Sequence, residues 1–478
     1  MGNERMSQIL TFVRNQLTQS EILLKTLTLD TQGRKLAYRS VYSTLSGYMQ
    51  TFLEKRGEPR WIAIAGLRGV GKTTLLAQLY TDFQVKSDQK LYIPLDLAED
   101  LGFSLSELLM AYEKLFGTTF ERLEKPIFLF LDEVQYQKNW AVTIKTLIDR
   151  SRNVFVIATG SSAVAIQTNA DIARRMVLEK LYPLGFNEYI YAKFQKTMPY
   201  GLSEKIKNAL FSSKTAQEVY KMLQKERAIV TTFWTDIERF EIDRYFKYGN
   251  LPFALGLDNE QLAYQQIRTI IENIINKDIP ALNAFDKTTL NKLSQLLYAM
   301  AGADIVSIPK LSTTIGLDPK TVIQALETLE KTEVLLRVYP YGAHYSQVKK
   351  PSKYLFTSSA YRAMYYNLVR SVEQYDEYKG KLLEDITGMY LFREFGRNIG
   401  ISITYDSAEG GADFILSLNT QKEKIVLEVG ARKKGFKQVI ATLQKVGGKY
   451  GLLVSQTDLS LQINKNCVSV PLEYFLLI

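Results

Sequence analysis

Gly66-Leu67-Arg68-Gly69-Val70-Gly71-Lys72-Thr73 is the stretch that decides the fold. It fits the phosphate-loop pattern G-x-x-x-x-G-K-[ST]. An apolar, strand-like segment, Trp61 to Ala65, precedes it, and a helix-like segment, Thr73 to Tyr80, follows with Leu75, Leu76 and Leu79 on one side. Strand, glycine-rich turn and helix are the context this motif requires. The glycines permit positive-φ backbone and close approach to a ligand. Successive N–H groups and the helix N-terminus then form an anion site. Lys72 is spaced to reach the β- and γ-phosphates of ATP, and Thr73 to set its hydroxyl on Mg²⁺. With Thr74 beside it, the run Gly66 to Thr74 is the expected nucleotide-binding segment.

Outward from this loop, strand and helix signals alternate over residues 59–185, the mark of a parallel sheet covered by helices. The expected strands are Trp61–Ala65, Lys90–Asp96, Ile127–Leu131, Val154–Thr159 and Met176–Leu181, with amphipathic helices such as Ser104–Phe116 and Ala141–Asp149 between them. The third strand runs apolar through Phe128-Leu129-Phe130-Leu131 and ends in Asp132-Glu133. A strand buried on both faces carries such a run. Its carboxylates emerge at the C-terminal end, where open α/β sheets bind ligands. Asp132 is the expected Mg²⁺ ligand and Glu133 the general base for the attacking water. The fourth strand runs into Gly160-Ser161-Ser162, so that Ser161, or failing it Thr159, can touch the γ-phosphate or the water. Arg174-Arg175 carry two open readings: a transition-state arginine, often supplied across a subunit interface, or a solvated pair at a helix end.

These motifs support a family resemblance. The phosphate loop, Leu131-Asp132-Glu133-Val134-Gln135 with Trp140 after it, Thr159-Gly160-Ser161-Ser162, Arg174-Arg175 and Pro183-Leu184-Gly185-Phe186-Asn187-Glu188 together resemble predicted prokaryotic AAA+ ATPases of the archaeal-ATPase group, which carry a C-terminal nuclease-like domain. Tyr245-Phe246-Lys247-Tyr248-Gly249-Asn250-Leu251-Pro252 is similar to that family's Tyr-x-x-x-Gly-Gly-x-Pro stretch, with Asn250 replacing the second glycine. Asn also tolerates the left-handed region, so the turn is expected to survive. The resemblance implies an ASCE-type P-loop NTPase sheet, a helical lid over residues 186–284 and assembly into a homo-oligomer.

Residues 1–58 read as helices, one around Ile9, Phe12, Val13 and Leu17 and a second from Leu36 to Lys55, without evident chemistry. Residues 285–360 look like a winged helix. Its helices are Leu290–Met300, Ile308–Gly316 and a third from Asp318 to Lys331, and Val334–Val338 begins the wing. The third helix exposes Lys320, Gln324, Glu327 and Lys331, a mixed face that serves either DNA reading or packing. Lys349, Lys350 and Lys353 after the wing are either phosphate contacts or solvated. Tyr361, Tyr365 and Tyr366 on the next helix read as core or interface rather than a stacking platform.

Residues 361–478 run helix, three strands, helix, strand. Glu384 lies on the helix, Asp413 starts a strand and Glu428 ends the next. This looks like the PD-(D/E)xK nuclease fold, whose carboxylates hold one or two Mg²⁺ ions against a phosphodiester. The pattern's lysine position is Gly430. Losing one such positive group costs on the order of 10²–10³ in rate, so a domain that binds DNA or a partner is favoured over an active nuclease. In the active alternative Lys433, or Lys434, reaches back from the following segment.

Composition bounds the rest. The chain has 478 residues, 46% hydrophobic and 23% charged, enough for about three globular domains. A formal net charge of +10 favours polyanionic partners, DNA among them. One cysteine, Cys467, and one histidine, His344, exclude a disulfide framework and a Cys/His zinc site within the chain and leave oxygen ligands for any metal. His344 reads as a solvated loop residue. No run of about 18 apolar residues suits a membrane span, and a cytoplasmic protein without membrane partners is expected. The functional expectation is an α/β AAA+ ATPase that binds ATP and ADP and couples Mg²⁺-dependent hydrolysis to DNA or partner handling. An ATP-dependent switch with slow turnover and an ATP-gated, metal-dependent DNA nuclease are the alternatives.

Overall fold

The computed structural model describes residues 3–161, 172, 174–282, 285–302, 305, 307–343, 350–367, 375–418, 423–430, 435–457 and 460–478. His344, Lys349, Lys433 and Lys434 lie outside these residues. The chain forms two compact units, Met1–Leu181 and Tyr182–Ile478.

The first unit is built on five strands, β1 (Trp61–Ala65), β2 (Lys90–Pro94), β3 (Ile127–Asp132), β4 (Val154–Gly160) and β5 (Val177–Lys180). Their spatial order is β2-β3-β4-β1-β5, and every pairing is parallel. All residues of β1, β3 and β4 are buried, as expected for strands covered on both faces. The period of two then sorts the side chains. Trp61, Ala63, Leu129, Leu131, Val154 and Val156 join one core with Ile9, Phe12 and Val13 of α1 (Asn3–Leu27) and with Leu108 and Ile144. Phe128 and Phe155 alternate to the other face, where Phe52 of α2 (Tyr42–Lys55) packs at ring-centroid distances of 5.5 and 5.2 Å. The remaining helices of this unit are α3 (Lys72–Asp82), α4 (Leu95–Asp100), α5 (Leu105–Phe116) and α6 (Trp140–Arg150). Ser104 caps α5 reciprocally with Glu107, the capping box.

Among the boundaries that differ from the sequence reading, two change what the intervening residues do. Helix α2 starts at Tyr42, not Leu36. The intervening residues run as a strap in which Lys35, Tyr38 and Tyr42 all bond the Asp82 carboxylate, at 2.8, 2.6 and 2.9 Å. Strand β2 ends at Pro94, where α4 begins at Leu95.

The second unit opens with helices, including Phe186–Phe194, Leu202–Phe211, Ala216–Lys225 and Glu260–Asn273. Helices Lys287–Gly302, Ile308–Ile315 and Pro319–Lys331 follow, the last capped by Asp318. They lead into a hairpin of β6 (Leu335–Pro340) and β7 (Lys353–Phe356). After helices Ser359–Asn367 and Tyr375–Phe395 come β8 (Ile401–Tyr405), β9 (Phe414–Leu418), β10 (Glu423–Gly430), β11 (Tyr450–Ser455), β12 (Gln462–Asn464) and β13 (Cys467–Pro471). One mixed sheet joins them all in the order β12-β13-β11-β10-β9-β8-β6-β7. The hairpin expected to be a separate wing is therefore an edge of the C-terminal sheet. Tyr339 of β6 pairs with Thr404 of β8. Strands β12 and β13 lay outside the sequence reading, although Cys467-Val-Ser-Val-Pro471 is wholly buried.

Asn250 corrects an expectation. Its backbone is right-handed, at φ −76° and ψ −2°. The side chain holds the position instead: Nδ2 donates to Ser359 Oγ and Oδ1 accepts from Ser358 Oγ, both at 2.7 Å in the core. Lys353, expected at phosphate or in solvent, is buried. Of the three tyrosines read as core or interface, Tyr361 and Tyr365 are buried and Tyr366 is half-buried.

Candidate functional site

The site of the first unit forms at the C-terminal ends of β1, β3 and β4. Strand β4 pairs with both β1 and β3, so its tip lies between the phosphate loop and the acidic pair. In the loop, Gly69 and Gly71 take φ of 87° and 90°, conformations costly for any residue with a Cβ. Gly66 is required for a different reason: a Cβ there would stand 2.3 Å from the carbonyl oxygen of Leu181. Gly71 caps α3, and Leu75 N–H donates to its carbonyl at 2.9 Å. Lys72 is buried, and its ammonium folds back onto the loop, donating to the carbonyls of Gly66 at 2.9 Å and Leu67 at 3.3 Å. Thr73 and Thr74 are half-buried on the first turn of the helix.

Asp132 is the hub. Thr73 Oγ1 donates to its Oδ1 at 3.3 Å, Thr159 Oγ1 donates to the same oxygen, and Tyr92 OH donates to Oδ2 at 3.2 Å. Burial pushes its carboxyl up to about 6, and the neighbouring Glu133 charge adds to the rise. The two threonine hydrogen bonds and the Lys72 charge oppose it. Glu133 stands in the left-handed region at φ 56° and ψ 50°, unusual for a residue with a Cβ and a conformation that clusters at functional sites. Its N–H donates to Thr159 Oγ1 at 3.2 Å. Gln135 Nε2 donates to the Glu133 carboxylate, while Gln135 Oε1 accepts from Ser161 N–H at 3.2 Å. Ser161 Oγ is buried and, among the described residues, has no hydrogen-bond partner.

The geometry thus brings Lys72, Thr73, Asp132, Glu133 and Ser161 to one end of the sheet. It does not bring Arg175 there: its guanidinium pairs with Asp149, near the C-terminal end of α6, at 2.8 Å. Arg174 is exposed. Three contributors went unassigned in the sequence. Gln135 was visible as a polar residue two positions past Glu133. Tyr92 lies on the strand beside β3. Arg39, in the strap before α2, donates to the Val70 carbonyl of the loop at 2.7 Å, a contact with no local sequence signal.

In the second unit Glu384 lies on helix Tyr375–Phe395, Asp413 immediately before β9, and Glu428 in β10. Glu428 Oε2 accepts from Asp413 N–H at 3.3 Å, and Asp413 Oδ2 accepts from Val429 N–H at 2.9 Å. Lys353 of β7 reaches two of these acids: its ammonium pairs with Glu384 and, at 3.2 Å, with Asp413. Among the described residues no three His, Cys, Asp or Glu side chains are placed to hold a metal ion.

Residues 58–190 match the AAA domain family, and residues 239–368 match a domain of unknown function, DUF8612. The uncharacterized protein MJ1637 of Methanocaldococcus jannaschii is 32% identical, over 99% of this chain and 95% of its own. An uncharacterized protein of Haemophilus influenzae is 22% identical over 66% of this chain and 71% of its own. Among solved structures, the Walker-type ATPase PABY2304 of Pyrococcus abyssi has a TM-score of 0.36 at 13% identity, covering 67% of this chain and 94% of that one. A likeness that distant says nothing about activity. Among the described residues no helix is long and apolar enough to cross a membrane. The chain belongs to one family with MJ1637 of Methanocaldococcus jannaschii, and it carries an AAA domain on its phosphate-loop sheet.

Proposed function

We propose that the protein is an ATP hydrolase that uses Mg²⁺ and couples its nucleotide state to the handling of DNA or a protein partner by residues 186–478. The observation that carries this reading is the buried Ser161 hydroxyl, unpartnered among the described residues, at the same end of the sheet as Lys72, Thr73, Asp132 and Glu133. A hydroxyl left without a partner in the core costs free energy unless a ligand engages it.

The residues fit the group. Thr73 and Asp132 offer the hydroxyl and the carboxylate that P-loop sites set around Mg²⁺, and the metal, when bound, neutralises charge on the phosphates. Lys72 exchanges its two loop carbonyls for phosphate oxygens. Glu133 accepts the proton of the attacking water, and Ser161 donates to an oxygen of the transferred group. Arg174 or Arg175 acts, in this reading, from a neighbouring copy. The net charge of +10 supports a polyanionic partner. A single cysteine fits a reducing, cytoplasmic setting. A slow ATP-dependent switch is the second reading, favoured by the hold of Gln135 on the Glu133 carboxylate.

The test is nucleotide binding and turnover together. ATP-Mg²⁺ at about a hundredfold above Kd stabilises by about 2.7 kcal/mol; Lys72→Ala should lose that thermal shift. Glu133→Gln should keep the shift and lose turnover by roughly 10²–10⁴. An equal shift in Lys72→Ala refutes the site. Turnover measured with and without DNA separates the motor from the switch.

A further inference from the structure

Asp132 accepts hydrogen bonds from three side chains among the described residues, and one of the donors lies outside every nucleotide motif. Thr73 and Thr159 both donate to Oδ1. Each has a second duty: Thr73 is the hydroxyl set for the metal, and Thr159 accepts from Glu133 N–H at 3.2 Å. The third donor is Tyr92, whose hydroxyl stands 3.2 Å from Oδ2 and bonds nothing else among the described residues.

Tyr92 reaches the site from the neighbouring strand. In the β2–β3 ladder it lies opposite Phe130, while Asp132 lies opposite Pro94. Leu91 and Ile93 enter the core shared with α1, so Tyr92 alternates to the other face of the sheet. There Phe130 meets Tyr80 of α3 at a ring-centroid distance of 5.0 Å. The hydroxyl has to cross one strand spacing and climb two residues, roughly 5 Å and 7 Å. A phenol at the end of a ring covers that gap, and the short hydroxyl side chains do not. Tyr92 is 4% exposed, so water does not compete for the bond.

Thr73 and Thr159 fix one oxygen of the carboxylate and leave its plane free to swing about that point. Tyr92 fixes the second oxygen. Both oxygens keep lone pairs for a metal or its waters, since an ionised carboxylate offers about four acceptor sites. Hydrogen-bond partners behind a metal-binding carboxylate set its orientation, and their loss typically costs about 10- to 100-fold in metal affinity or activity.

We infer that Tyr92 is a positioning residue for the metal: its hydroxyl orients Asp132 toward the divalent cation and so sets how strongly that cation tightens nucleotide binding. This rests on the ATPase reading, because it needs Asp132 to serve Mg²⁺.

The experiment measures binding of a non-hydrolysable ATP analogue to the full chain by calorimetry, once in EDTA and once in excess Mg²⁺, for wild type and Tyr92→Phe. The variant keeps the ring and its packing and loses the hydroxyl alone. Without metal the two proteins should bind alike. With Mg²⁺ the variant should bind at least about 10-fold more weakly. Its ATPase activity should need correspondingly more Mg²⁺ for half-maximal rate, with kcat at saturating metal retained. Equal affinities in both conditions overturn the inference. So does a loss of the same size with and without metal, which makes Tyr92 a support of the loop and not of the cation. A lower kcat with an unchanged Mg²⁺ requirement overturns it as well. Wild type that binds the analogue no tighter in Mg²⁺ than in EDTA refutes metal use by the site, and the inference falls with it. Failure of the ATPase reading thus appears in wild type alone, and failure of this inference only in the comparison.

Discussion

Replacing Asp132 by Asn should stabilise the nucleotide-free protein while abolishing its ATPase activity. The Asp132 carboxyl is raised from 3.8 to about 6, chiefly by burial and next by Glu133. A rise of that size corresponds to about 3 kcal/mol of free energy between the charged and neutral forms. The sign follows from proton binding. Between roughly pH 4 and pH 6 the folded state holds a proton that the unfolded state has released, so stability falls as pH rises through this window. Above pH 6 the full penalty of an ionised, buried carboxylate applies; below the unfolded value it vanishes. Asn carries no charge and keeps the local bonds. Its oxygen accepts from Thr73 and Thr159, and its NH₂ meets the Tyr92 hydroxyl, which rotates to accept. For a unit of this size 1 kcal/mol is about 2–4 °C in Tm, so the variant should gain at most about 6–12 °C at pH 7.5 and nothing near pH 4. The assay is the melting temperature of both proteins from pH 4 to 8, with and without ATP-Mg²⁺. Metal and nucleotide should restore wild type and leave the variant unmoved. A difference between the two proteins that does not change with pH would refute the account of Asp132 as a charge held ready for a cation.

Other changes probe the remaining contacts. Gln135→Leu removes the link from Glu133 to Ser161; kcat should fall roughly 10- to 100-fold, as expected when a general base is misplaced, with little change in ATP affinity, and a rise in kcat would favour the slow-switch reading. Asp385→Ala leaves the fully buried Arg362 guanidinium without its bidentate partner, bonded at 2.5 and 2.9 Å, and should cost about 3–5 kcal/mol in denaturant unfolding of the second unit. Asn250→Gly, which restores the glycine of the resembled family, should destabilise by about 1–3 kcal/mol, because the buried Ser358 hydroxyl loses its acceptor while Ser359, which still donates to the Phe246 carbonyl, loses a donor.

The sequence by itself determined the phosphate loop, the acidic strand end and the five-strand alternation around them. Each is local: a spacing of glycines and a lysine, four apolar residues before two acids, a period of two or of 3.6 read within one segment. It also located Ser161 and the three C-terminal carboxylates by their places on successive elements. The tertiary structure decided what required distant segments to meet. Strand β4 lies between β1 and β3, and so Thr159 reaches Asp132. Arg39 comes to the loop from a strap thirty-one positions upstream of its partner Val70. Lys353 reaches Asp413 from sixty positions away. No periodicity encodes such a meeting, because the free energy that sets it comes from the burial of whole faces rather than from neighbouring residues. Gly430 reads in the sequence only as a missing lysine. Only the sheet order, which sets β6 of the β6–β7 hairpin beside β8, brings Lys353 to Glu384 and Asp413.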